Sequence, residues 1–151
     1  MKPLTHLIKL LPLAVLLLVA QDVHAQAVGS VATLSGLLVA KDMNGKARVL
    51  AVNSQVRQGD TLITERNTYA LMKFVDGAEL TLQPESTLVL TRYTYDADKP
   101  QQDKVELNLV QGGFRSVAGL LGQRSQDATV VTTPMGTLQG SASMIVSLTP
   151  P

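Results

Sequence analysis

Leu80 and Leu82 alternate with Glu79, Thr81 and Gln83, and Val105, Leu107 and Leu109 alternate with Glu106 and Asn108. A period of two puts the apolar side chains on one face and the polar ones on the other, which is the pattern of a half-buried strand. From Val28 onward, β-branched and leucine residues recur in short runs separated by Gly, Asn-Gly and Asp-Gly. No apolar pattern of helical period holds for three turns. The chain therefore predicts an all-β fold.

Val31 to Ala40 and Ala47 to Val52 flank Met43-Asn44-Gly45-Lys46 and predict a first hairpin, with Asn44-Gly45 suited to the positive φ angles of a tight turn. Tyr69 to Val75 and Ala78 to Gln83 flank Asp76-Gly77 and predict a second. Thr87 to Tyr95 reads as a further strand. Asp96 to Asp103, the most polar stretch, holds Pro100 and reads as an exposed loop. The strand at Val105 to Leu109 ends at Gln111-Gly112-Gly113, and Phe114 to Val117 resumes the sheet. Gly119 to Gln126 reads as flexible and polar after Leu121, Ala128 to Thr133 as a β-branched run, and Thr137 to Leu148 as a last strand or pair. Pro150-Pro151 can add no ladder hydrogen bonds. The sum is a single compact domain of about ten short strands, whose spacing fits a β-solenoid, a sandwich or a barrel without choosing among them.

The first 25 residues stand apart. Met1 to Lys9 carries Lys2, His6 and Lys9 with no acid, and Leu10 to Ala20 is apolar except for Pro12. Val23-His24-Ala25 follows with small or compact residues at the −3 and −1 positions of a cleavage site, and Ala25-Gln26-Ala27 offers a second. The apolar run is well short of the roughly 20 residues that span a bilayer. Residues 1–25 therefore read as a cleavable signal peptide and residues 26–151 as the mature domain, periplasmic or secreted, with no membrane span.

Charge then narrows the function. Removing Lys2, Lys9 and Asp22 leaves 11 basic and 11 acidic residues, with no run of adjacent basic ones, which argues against nucleic acid as a partner. There is no Cys, and both histidines, His6 and His24, fall in the signal segment. The mature domain thus has no thiolate, no imidazole base and no Cys or His metal ligand, so no metal or cofactor is expected.

Paired carboxylates remain as possible acid–base groups, namely Asp76 with Glu79 or Asp96 with Asp98. Asp76 precedes Gly77, where its side chain can bond the local backbone, and Glu79 falls on the polar face of the next strand, so a structural role is expected. Asp96, Asp98 and Asp103 are interrupted by Lys99 and Pro100 and lack the spacing and closing Glu of an EF-hand loop. The expectation is a protein that is not an enzyme. Candidate binding residues are Arg115, a possible anchor for a partner carboxylate or else a solvated strand arginine, with Phe114 beside it. Tyr93 and Tyr95, on one strand face, are a possible contact patch or else packing residues. Gly45, Gly59, Asp60, Asp76, Gly77, Gly112, Gly113, Pro134 and Gly140 are expected to be structural turn positions.

Four stretches, in their order and spacing, resemble the FecR domain, a periplasmic β module of bacterial surface signalling. They are Val28-Gly29-Ser30-Val31 with Leu34-Ser35-Gly36; Val56 to Thr64, which holds Gly59-Asp60; Phe74 to Leu82 running into Pro84-Glu85-Ser86; and Gly112 to Gly119. Thr132-Thr133-Pro134 fits the Thr-Pro step before the family's closing strand. Where the family usually reads Gly-(Val/Ile)-Arg-Gly-Thr, this chain reads Leu138-Gln139-Gly140-Ser141-Ala142, so no role tied to that segment carries over. The resemblance implies a non-catalytic interaction or scaffold module with an envelope protein as partner, linked to envelope signalling. The alternative is a ligand-binding or surface-adhesion protein that recognises glycan or cell-wall material.

Overall fold

The computed structural model describes residues 25–140 and 143–148. The signal segment up to His24, Ser141-Ala142 and the terminal Thr149-Pro150-Pro151 lie outside the described residues. Thirteen strands are described: β1 Ala27–Leu34, β2 Leu38–Lys41, β3 Ala47–Leu50, β4 Gln55–Arg57, β5 Thr61–Thr64, β6 Ala70–Phe74, β7 Glu79–Leu82, β8 Thr87–Thr94, β9 Lys104–Gln111, β10 Gly113–Val117, β11 Thr129–Thr133, β12 Gly136–Gln139 and β13 Met144–Ser147. One short helix, α1 (Leu120–Arg124), follows β10.

The strands form two sheets, one of six in the order β13-β10-β7-β6-β1-β4 and one of seven in the order β12-β11-β9-β8-β5-β2-β3. The protein is all-β and sandwich-like, which decides between the architectures that strand spacing left open. The two inner faces bury one core. Val31, Met72, Leu82 and Phe114 come from the first sheet and Leu38, Leu62, Leu88, Leu90, Leu109 and Val131 from the second, each fully shielded from water. The alternation along β7 and β9 puts Leu80, Leu82, Val105, Leu107 and Leu109 inside, as the period of two predicts.

The chain reaches this arrangement by crossing between sheets rather than by stacking hairpins. Val31 to Ala40 is not one strand. It breaks at Ser35-Gly36-Leu37, with β1 in the six-stranded sheet and β2 in the other. The predicted first hairpin is therefore only β2 with β3, closed by Asp42, whose carboxylate accepts from the amides of Asn44 and Lys46, both at 2.9 Å. Residues 55–64, carrying no alternation long enough to read, supply β4 to one sheet and β5 to the other. Thr137 to Leu148 is a pair of strands whose members also join different sheets. Neighbouring strands run antiparallel except β9 and β11, which are parallel. Parallel partners need a crossover, here β10 in the opposite sheet followed by α1.

The segment Gly119 to Gln126, expected to be flexible, holds α1 with Leu121 buried. The loop Asp96 to Asp103 is exposed over most of its length, but Asp103 is buried. Its carboxylate is the partner of Arg124, and that pairing explains both departures from expectation.

Candidate functional site

Among the described residues three aspartates are buried, Asp60, Asp76 and Asp103. A carboxylate leaves water only if donors replace its solvation, and each of the three has a full set. Asp60, in the turn after Gly59, accepts from the amide of Arg57 at 2.8 Å and makes a bidentate pair with the guanidinium of Arg48 on β3. Its own amide donates to the Arg57 carbonyl at 3.1 Å, so it both closes the β4–β5 turn and ties it to the sheet edge.

Asp76 occupies the β6–β7 turn. Its Oδ1 accepts from the Ala78 amide at 3.2 Å and from the Tyr93 hydroxyl at 2.6 Å; its Oδ2 accepts from the Leu121 amide at 3.2 Å. One side chain thus connects the first sheet, the second sheet and α1. Gly119 makes this closeness possible, since a Cβ there would sit 2.3 Å from the Ala78 nitrogen and 2.6 Å from Asp76 Oδ2. Burial, reinforced by the Asp76 carboxylate it donates to, pushes the Tyr93 hydroxyl far above the ordinary tyrosine range.

Asp103 accepts from Arg124 Nε at 2.8 Å, Arg124 Nη2 at 2.7 Å and Ser125 Oγ at 2.6 Å. Arg124 also donates to the carbonyls of Ala97 and Asp96, at 2.9 and 2.6 Å, and lies over the Tyr95 ring, 4.8 Å from its centroid. A planar guanidinium with five donors can hold a carboxylate, two carbonyls and a ring face at once. The Arg124 hydrogen bonds hold the Asp103 carboxyl below its ordinary range, and the same bonds raise Arg124.

The sequence-derived candidates distribute accordingly. Phe114 is wholly inside the core, and Tyr93 is buried and stacked on Phe74, with ring centroids 4.5 Å apart. Neither has a face for a partner, so both are packing residues here. Tyr95 is half-buried beneath Arg124. Only Arg115 stands on the exposed outer face of its sheet, opposite Thr81 on one side and Ile145 on the other. Asp76 and Glu79 are not combined as an acid–base couple: Asp76 is saturated as above, and Glu79 pairs with Lys73 at 3.2 Å. Asp96 accepts from the Asp98 amide at 2.9 Å in a local turn. Among the described residues, no group of three or more His, Cys, Asp or Glu is placed to hold a metal ion. Gly45, Gly59, Gly77, Gly112 and Gly140 have positive φ, whereas Gly113, also expected at a turn, is the buried first residue of β10, where its amide donates to Ser86 Oγ at 2.8 Å.

Each sheet has two edges, and apolar side chains are exposed at both ends of the sandwich, Met43 and Val49 by β3 and Met135, Leu138 and Ile145 by β12 and β13. β12 is an edge of one sheet and β13 of the other. Beside them, a crevice of about 860 Å³ runs between the β7–β8 and β9–β10 turns, Pro134-Met135 and the end of β13 at Ser147-Leu148. Its size is that of a ligand or peptide site. Met135 is 85% exposed beside it, and Ile145 on β13 is 71% exposed. A smaller, open pocket bounded by Tyr93, Phe114 and Met144 measures about 40 Å³, enough for only a few waters.

No family model matches the chain. No curated protein matches it either. One solved structure, described as a cell surface anchoring domain, aligns over 42% of this chain and 83% of its own, with 27% identity and a TM-score of 0.41. Overlap of that degree assigns no role.

No sequence motif marks Met135, Leu138 or Ile145. The signal that marks their segment is compositional, because no Asp, Glu, Lys or Arg occurs from Ala128 to Pro151. That silence has no local structural consequence and acquires meaning only when β12 and β13 turn out to be edges. Among the described residues, no helix is long and apolar enough to cross a membrane.

Proposed function

We propose that this chain is an exported interaction module of the cell envelope, FecR-like in kind, which binds another protein and performs no chemistry of its own. The observation that carries the reading is the β12–β13 side of the sandwich. Two sheet edges and the exposed Met135 and Ile145 belong to a stretch of chain without charge, and a peptide-sized crevice opens beside them, with Glu85 on its far wall. Apolar side chains exposed at sheet edges that carry no charge mark an interaction surface. The FecR resemblance supports the same reading through its turn segments: Gly59-Asp60, Asp76-Gly77 and Gly112-Gly113 each sit at a buried polar junction.

The test is an affinity-tagged full chain carrying its own N-terminal segment, crosslinked in living cells and analysed by mass spectrometry. The expected result is a mature N-terminus at Gln26 and one recurrent envelope protein attached. An uncleaved N-terminus overturns export of a soluble domain, and a cleaved chain that never captures a protein overturns the interaction reading. The crevice gives a second reading some support, recognition of glycan or cell-wall material, and flat calorimetric titrations against such panels would remove it.

A further inference from the structure

The two sheets are unequal, and the inequality falls at the β12–β13 side. Leu138 on β12 lies directly opposite Val131 on β11, so the two side chains point to the same face of the sheet. Val131 is completely buried, yet Leu138 is 47% exposed. A leucine on the inner face that remains half open lacks a strand above it in the facing sheet. The six-stranded sheet ends at β13, whose only partner among the described strands is β10.

The free edge of β13 has its own hydrogen-bonding order. The Leu148 amide donates to the Gly112 carbonyl at 2.8 Å. Alternation in an antiparallel ladder then turns the peptide groups of Met144 and Val146 toward β10, and those of Ile145 and Ser147 outward. Natural edges are commonly guarded by lysine, proline or a bulge. This one has no charged residue anywhere near it in sequence, and β13 pairs with β10 in unbroken register.

We propose that the free edge of β13 takes one extended strand of a partner polypeptide, which becomes the seventh strand of that sheet and closes over Leu138. The partner segment is uncharged, with alternate apolar side chains facing Leu138 and polar ones facing solvent, because the edge offers no charge to pair with and the shelf beneath it is apolar. A second folded copy of this chain is the wrong occupant. Pairing β13 with its own symmetry mate would bring the copy's β11 and β12 into the space where this chain's β12 already projects. The inference rests on the protein-binding reading above and specifies its mode.

The probe is a blocked hexapeptide of the chain's own residues 143–148, Ser-Met-Ile-Val-Ser-Leu, carrying a solubilising polyethylene glycol tail. Laid antiparallel on β13, its Met, Val and Leu fall on the inner face opposite Leu148, Val146 and Met144. Amide exchange is followed by NMR on protein purified from the envelope of cells that make the full chain. Saturating peptide is expected to slow exchange at Ile145 and Ser147 by about tenfold or more, as new hydrogen bonds at an edge should, and to leave the opposite edge at β4 unchanged. Leu138→Lys, at a half-exposed site, is expected to keep the urea midpoint and weaken peptide binding at least about tenfold. N-methylation of the edge-facing peptide amides is expected to abolish binding.

Unchanged exchange at Ile145 and Ser147, or binding indifferent to both modifications, overturns the strand proposal. If a protein is still captured in cells, the interaction reading survives that loss. Edge protection by the peptide with no protein captured in cells overturns the partner polypeptide and the interaction reading together.

Discussion

Tyr93→Phe tests whether the buried carboxylate at Asp76 is structural. The substitution removes one hydroxyl and keeps the ring that stacks on Phe74. It takes away the 2.6 Å hydrogen bond to Asp76 Oδ1, the only one of Asp76's side-chain bonds that reaches the other sheet. Both partners are buried, Asp76 to 3% and Tyr93 to 7% exposure, so water cannot replace the lost donor freely. A hydrogen bond to a charged group contributes about 1.5–3 kcal/mol, and Asp76 keeps two amide donors, which places the expected loss near 2 kcal/mol. For a domain of this size, that corresponds to a fall in melting temperature of roughly 6–10 °C. Urea denaturation at neutral pH should show a lower midpoint with an unchanged m-value, and a double-mutant cycle with Asp76→Asn should return most of the loss as coupling. A loss below about 0.5 kcal/mol, or no coupling, would refute the reasoning. Asp76 would then be a carboxylate held in the interior without stabilising it, and would need another explanation.

Other consequences follow from the same contacts. Asp103 has its folded pKa depressed below the ordinary 3.8 by Arg124, so its contribution is present above that value and is lost as pH falls below it through the folded pKa. Asp103→Asn should therefore flatten the acid limb of a stability-against-pH curve below about pH 4, and an unchanged limb would count against the pair. Gly112→Ala should cost at least about 2 kcal/mol in urea unfolding, because φ there is +78° and the new Cβ would lie 2.1 Å from Ser86 Oγ and 2.6 Å from Ser86 Cα. Arg115→Ala, on an exposed face, should change stability by less than about 0.5 kcal/mol; reduced capture of an envelope protein in cells would make Arg115 a contact for it.

Much of the strand content was legible along the chain, and the failures share one cause. Leu80-Thr81-Leu82 and Val105 to Leu109 read correctly because a period of two states which side of a strand is apolar. It does not state which sheet the strand joins, since two inner faces that share one core demand the same side chains. Hence Val31 to Ala40 looked continuous although it divides between sheets at Ser35-Gly36-Leu37. Two of the four candidate contact residues, Phe114 and Tyr93, went to the core for a related reason. Phe114 and Tyr93 are apolar enough to line either a surface patch or a core, and burial, a property of the packed layers, assigned them to the core. Nothing local in the sequence distinguishes a solvated arginine from one that, like Arg124, clamps Asp103 from 21 residues away.

The sequence by itself determined an all-β domain, the faces of its clearest strands, the turn positions with positive φ and the absence of Cys and His chemistry after residue 24. Each of these is a property of a residue type or of near neighbours. Only the tertiary structure decided that the strands form an unequal sandwich, that Asp60, Asp76 and Asp103 are engaged by Arg48, Tyr93 and Arg124, and that the uncharged end of the chain supplies one edge of each sheet. Those depend on contacts between distant segments, where burial sets the worth of a hydrogen bond and the final strand order sets which backbone groups are left free to bind.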